Sequence, residues 1–129
     1  MNAPTTIPSE IRVLVADDSA VMRTTLSRML ESNTIVRVCG TAKNGLETVA
    51  KTKLLRPDVV TLDVKMPVMD GIEALRHIMD ECPCPVIMVS CVTIEGAEET
   101  IEALSAGAFD YVPKEELASE TDLMTARRR

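Results

Sequence analysis

Several features that would settle a function quickly are missing from this chain. No apolar run approaches the roughly 18 residues of a helical membrane span, and the opening MNAPTTIPSE lacks the basic region and apolar stretch of a secretory leader. Residues 1–10 read as a short flexible lead-in to a cytoplasmic domain. Positive charge is in deficit: the formal net charge is -6, which argues against nucleic acid or an anionic membrane as the main partner. Glycine is scarce, with five residues and no glycine-rich phosphate loop, so nucleotide binding of that kind is disfavoured. The four cysteines (Cys39, Cys82, Cys84 and Cys91) include no CxxC pair. With the single histidine, His77, expected on a helix surface, they read as reduced thiols rather than a metal centre. No repeat, low-complexity tract or interior linker divides the 129 residues, so residues 11–129 are expected to form one domain with a real core.

What is present is an alternation of apolar runs with segments of helical period. IRVLVA (11–16), IVRVCG (35–40), DVVTLD (58–63), PVIMVS (85–90) and FDYVP (109–113) read as strands. The second is expected to end at Gly40. Between them lie SAVMRTTLSRMLES (19–32), with Met22, Leu26, Met29 and Leu30 as its apolar stripe, and NGLETVAKTKLL (44–55), with Leu46, Val49, Ala50 and Leu54 expected inward. GIEALRHIMDE (71–81) and EGAEETIEALSAGA (95–108) follow, the latter closing at Gly107. EELASETDLMTARRR (115–129) reads as a fifth helix, acids first and arginines last as the macrodipole prefers. Strands apolar on both faces, each followed by a helix, imply an α/β fold with a parallel sheet covered on both sides. Right-handed crossovers favour a doubly wound, five-stranded sheet of flavodoxin-like order 2-1-3-4-5.

Ligands bind such sheets outside the carboxyl ends of the strands. Strand one ends in Asp17-Asp18, strand three in Asp63, strand four in Ser90, and Lys114 follows strand five. Strand two offers nothing readily ionised. Two carboxylates about 5 Å apart repel by roughly 3 kcal/mol at an effective dielectric near 20, so three together need a cation. Mg²⁺ takes oxygen ligands and keeps waters that phosphate can replace, and Lys114 supplies a fixed charge for the same phosphate. A metal-dependent phosphate site is the chemistry these residues share.

The segments VADDS (15–19), TLDVKMPVMDG (61–71), VIMVSC (86–91) and FDYVPK (109–114) resemble, in order and approximate spacing, the receiver domain of two-component response regulators. The wording of DDSAVMR, AKNGLETV, PDVVTLDVKMPVMDGIEALRHIM and TIEGAEETIEALSAGAFDYVPK is most similar to the receiver of chemotaxis protein-glutamate methylesterase. The resemblance implies that Asp63 accepts a phosphoryl group from a sensor histidine kinase. It also implies that Mg²⁺ is held by Asp17, Asp18, Asp63 and the backbone carbonyl of Lys65, and that Ser90 and Lys114 contact the phosphoryl oxygens. Tyr111 matches the switch aromatic, turning as Ser90 moves and altering the surface of helix four, strand five and helix five. A downstream protein, or an output domain beyond these residues, would read that surface. The methylesterase domain that follows a linker in that family is absent from this stretch, which is either a fragment or stands alone.

Two departures from the family pattern bear on the site. The lysine is usually followed by proline; here Pro113 precedes Lys114 and Glu115 follows, so a trans Lys114–Glu115 bond is expected, with Glu115 and Glu116 competing for the ammonium. Val92, two residues after Ser90, cannot hydrogen-bond an attacking water, which implies slow autodephosphorylation. The MPVMDG turn is expected to be turn chemistry, with Pro67 fixing a bend, Asp70 and Gly71 opening a helix, and Met66 and Met69 packing. Two other functions stand beside the receiver: a pseudo-receiver that binds a partner without phosphorylation, and an Asp/Mg²⁺ phosphatase. The second lacks the usual DxD, since Lys65 follows Asp63 by two, and the chain has no room for a cap.

Overall fold

A computed structural model describes residues 10–90 and 96–115. Five parallel strands, β1 (Ile11–Ala16), β2 (Val36–Ala42), β3 (Val59–Leu62), β4 (Val86–Ser90) and β5 (Asp110–Pro113), alternate with α1 (Ala20–Glu31), α2 (Gly45–Leu55), α3 (Gly71–Glu81) and α4 (Gly96–Ser105). The sheet order is β2-β1-β3-β4-β5, as the alternation predicts. Alternate residues of β1 and β3 part to two cores. Leu14, Ala16, Val60 and Leu62 join Val49, Ile72, Leu75, Ile78 and Ala103 from α2, α3 and α4 on one side. Val13 and Val15 join Leu26 of α1 on the other, with Met22, Met29 and Leu30 packed against them as the stripe predicts. Cys82 and Cys84 pack at the edge of the larger core.

Two expectations need correction. β2 does not stop at Gly40 but runs on to Ala42. Gly40 faces Leu14 where the β1–β2 register shifts, and a Cβ there would meet Leu55 Cδ1 at 2.8 Å. The glycine admits α2 against the strand rather than ending it. On α2, the inward residues are Gly45, Thr48, Val49 and Thr52, while Leu46 and Leu54 are exposed and Ala50 lies outward with them. Thr48 and Thr52 can be inside because each hydroxyl donates to the carbonyl four residues back, Asn44 and Thr48 respectively, at 2.7 Å. A hydroxyl satisfied within its own helix costs little to bury.

The helices start where polar caps are available. Ser19, Asn44 and Asp70 accept from the backbone N–H of Met22, Glu47 and Glu73. Gly107 has φ +112, the left-handed conformation expected after α4. The Lys114–Glu115 bond is trans, as expected. Residues 1–9 of the expected lead-in, Cys91, Val92 and residues 116–129 of the expected fifth helix lie outside the described residues.

Candidate functional site

Each residue at the carboxyl edge is placed by its strand. The backbone N–H of Asp17 donates to Ala42 O at 3.0 Å and that of Asp63 to Ala16 O at 2.9 Å, so the ladder runs on into the site and fixes both acids. Asp17 (0% exposed) and Asp63 (3%) are buried, and Asp18 projects to solvent. One carboxylate oxygen from each of the three can lie within 4.8 Å of the others, and this is a grouping able to hold a metal ion among the described residues. Lys114 reaches in from the end of β5, its Nζ 3.0 Å from Asp17 Oδ2 and 3.2 Å from Asp63 Oδ2. Four of the expected site residues are therefore brought together, and glutamate at 115 has not drawn the ammonium away.

The four charges do not balance: three carboxylates face one ammonium. Burial, helped by the neighbouring Asp17 charge and opposed by Lys114, pushes Asp63 up to about 6. Burial alone would lower Lys114, but its close contact with the Asp17 carboxylate and the charge of Asp63 outweigh it and hold the ammonium above its ordinary value. Asp17 is the more fully engaged acid. Its Oδ1 accepts from the backbone N–H of Ser19 at 2.8 Å. Its Oδ2 faces Lys114 in a charge contact not aligned as a hydrogen bond. The arrangement offers a reactive, partly protonated carboxyl beside a fixed cation, with oxygen donors for a hard dication and a solvent-facing side open to phosphate.

Ser90 is buried at the end of β4 beside Pro113, with no hydrogen bond to the four clustered residues among those described. Tyr111 is half-buried against the larger core, and its hydroxyl is enclosed without a hydrogen-bond partner among the described residues. Lys65 sends its side chain away from the acids, to Glu99 of α4 at 3.7 Å. The MPVMDG turn packs as expected, Met66 in the core and Met69 against it. Three contributors escaped the sequence reading. Gly71 is required because a Cβ there would collide with the Asp63 carbonyl oxygen. Ser19 pins Asp17. Arg23, from the first turn of α1, donates to the Asp17 carbonyl at 2.8 Å. The spacing Asp17-Asp18-Ser19 to Arg23 carried that signal, since helical side chains lean toward the N-terminus.

A model of the response regulator receiver domain family matches residues 13–126. The protein-glutamate methylesterase/protein-glutamine glutaminase of Lawsonia intracellularis is 53% identical over 103 residues, 80% of this chain but 29% of its own length. That of Halalkalibacterium halodurans is 50% identical over 119 residues, 92% of this chain and 34% of its own. The chain thus spans about a third of the length of these curated relatives. Among solved structures, the response regulator domain of Thermotoga maritima CheB superposes with a TM-score of 0.80 at 47% identity, covering 92% of this chain and 95% of that one. A CheX-CheY-BeF3-Mg+2 complex from Borrelia burgdorferi gives 0.72 at 33% identity, covering 80% and 77%.

Proposed function

Because this chain belongs to the response regulator receiver family, in the branch of the chemotaxis methylesterase receivers, we propose that Asp63 takes a phosphoryl group from a histidine kinase while Mg²⁺ is bound at the acid cluster. One observation carries the reading: three carboxylates and the Lys114 ammonium converge at the ends of β1, β3 and β5 with a charge excess that a dication would cancel. The donor set fits Mg²⁺, all hard oxygen. With both oxygens of Asp17 already engaged by Ser19 and Lys114, Asp18 and Asp63 would be the direct ligands, Asp17 would act through water, and the backbone carbonyl of Lys65 would complete the protein's share. Bound Mg²⁺ supplies neutralisation of the phosphoryl oxygens and secures the ionised form of Asp63.

The chain's own groups do the rest. A carboxylate oxygen of Asp63 attacks phosphorus in line, the bond to the donor's imidazole nitrogen breaks, and an acyl phosphate forms as the imidazole recovers a proton from water. A pKa of about 6 leaves most of Asp63 ionised at neutral pH. Lys114 shifts from Asp63 Oδ2 toward a phosphoryl oxygen, a move of a long side chain already at 3.2 Å, and Ser90 donates to another. The space Ser90 leaves admits the Tyr111 ring, whose hydroxyl has no hydrogen-bond partner among the described residues before the turn. The face of α4 and β5, with the fifth helix, then changes for an output domain or separate partner to read, in the cytoplasm and in chemotaxis-type regulation. No helix among the described residues is long and apolar enough to cross a membrane.

The test is intact mass after incubation with acetyl phosphate. The wild type gains one phosphoryl group only with Mg²⁺, and Asp63→Asn gains none. A wild type that stays unmodified, and that also fails to bind beryllofluoride, is the binding-only pseudo-receiver instead. A Val92→Asn variant is expected to lose its phosphoryl group faster than the wild type.

A further inference from the structure

We infer that Arg23 is a positioning residue for the metal-binding acids, acting through the Asp17 carbonyl rather than by touching ion or phosphate. The inference rests on the Mg²⁺ reading above and adds to it a residue outside the acid cluster, Ser90 and Lys114. Ser19 caps α1, with its side chain accepting from Met22 N–H at 3.2 Å, and its carbonyl accepts the backbone N–H of Arg23 at 2.9 Å. Arg23 thus starts from a rigid first turn, and its side chain leans back over that turn. It is half-buried, and its guanidinium donates to Asp17 O at 2.8 Å.

That carbonyl belongs to the peptide joining Asp17 to Asp18. On the Asp17 side the peptide is already fixed by the N–H to Ala42, by Ser19 and by Lys114. On the Asp18 side the carboxylate projects into solvent and makes no hydrogen bond or ion pair among the described residues. Arg23 therefore holds the plane from which Asp18 departs. Without it, Asp17 stays in place while the peptide is free to rotate, and the cost falls on the direct ligand. A planar guanidinium keeps its donors in a fixed fork, which an ammonium does not reproduce.

The sign of the effect separates positioning from charge. A guanidinium near a dication site repels the ion, so on charge alone removing Arg23 tightens Mg²⁺ binding. Positioning predicts the reverse. Mg²⁺ affinity of the 129-residue chain is measured by calorimetry for wild type, Arg23→Met, Arg23→Lys, Asp18→Asn and the Arg23→Met/Asp18→Asn pair, with circular dichroism checking the fold. Arg23→Met is expected to bind Mg²⁺ 5- to 10-fold more weakly, and Arg23→Lys to recover part of the loss. The Arg23→Met loss should shrink below 2-fold in the Asp18→Asn background. Affinity unchanged or raised in Arg23→Met, or an equal loss with and without Asp18, overturns the inference. If Arg23→Met does not fold, Arg23→Lys decides alone: it must bind at least 2-fold more weakly than wild type. A wild type that binds no Mg²⁺ overturns the proposed function itself.

Discussion

Asp63 answers for its position by the energy it costs. A buried carboxyl with its pKa raised to about 6 is ionised at a penalty that the unfolded chain, titrating near 4, does not meet. The contribution to stability is therefore greatest below pH 4, declines as pH rises from about 4 to about 6, and stays low above that. Asp63→Asn is expected to be more stable than the metal-free wild type by about 1–3 kcal/mol at pH 7.5, with no advantage at pH 3.5; urea unfolding at the two pH values measures both. Tyr111 has a smaller version of the same strain. Its enclosed, unpaired hydroxyl predicts that Tyr111→Phe stabilises the unphosphorylated protein by about 1 kcal/mol while weakening the response to beryllofluoride, read as the change in hydrogen exchange over β5. The identities of Asp17, Asp18, Asp63 and Lys114 were legible in the sequence because strand ends are legible. The role of Gly71 was not, since close approach to the Asp63 carbonyl leaves no mark in residue type or period, and that of Arg23 was carried only by its spacing from Asp17 and the backward lean of helical side chains.

Among the elements, the loop from β3 to α3 and helix α4 carry the tension. Val68 has φ +71, and the N–H of Met69 donates back to Pro67 O at 2.8 Å. This is a tight turn centred on a β-branched residue that disfavours it. Met69 O in turn accepts from Gly45 N–H at 2.9 Å, bracing the loop on the start of α2. Val68→Gly removes the steric cost at some loss of chain entropy, and a net gain of about 0.5 kcal/mol is expected in urea unfolding. Helix α4 sends Ile101 and Leu104 to solvent and buries Ala103. It is tied to its neighbours by Glu99 to Lys65 at 3.7 Å and Glu102 to Arg76 at 2.9 Å. Exposed pairs of this kind contribute about 0–1 kcal/mol. Glu99→Gln/Glu102→Gln is therefore expected to speed amide exchange in α4 while leaving β1 and β3 unchanged. Element type and order followed from apolar runs and helical period. The errors fell where period is ambiguous: α2 carries leucines on its outward face and self-bonded threonines inward, and Gly40 looked like a stop but serves a close helix approach.

For the molecule as a whole, the sheet order puts β1, β3, β4 and β5 side by side with their carboxyl ends together, so one edge gathers residues separated by nearly a hundred positions in sequence. That gathering is destabilising while its excess negative charge stands uncompensated. At roughly ten times its Kd, Mg²⁺ is expected to stabilise the fold by about 1.4 kcal/mol, a rise of about 4–6 °C in Tm, and Asp18→Asn should lose most of that rise. The proposed function turns on Asp63 as the phosphoryl acceptor. The most direct test treats the chain with acetyl phosphate and Mg²⁺, reduces it with borohydride, and maps the peptides. Position 63 is expected to be converted to homoserine, dependent on Mg²⁺ and absent when beryllofluoride is added first. Reduction at Asp17 or Asp18, or at no aspartate while phosphate is incorporated elsewhere, would contradict it.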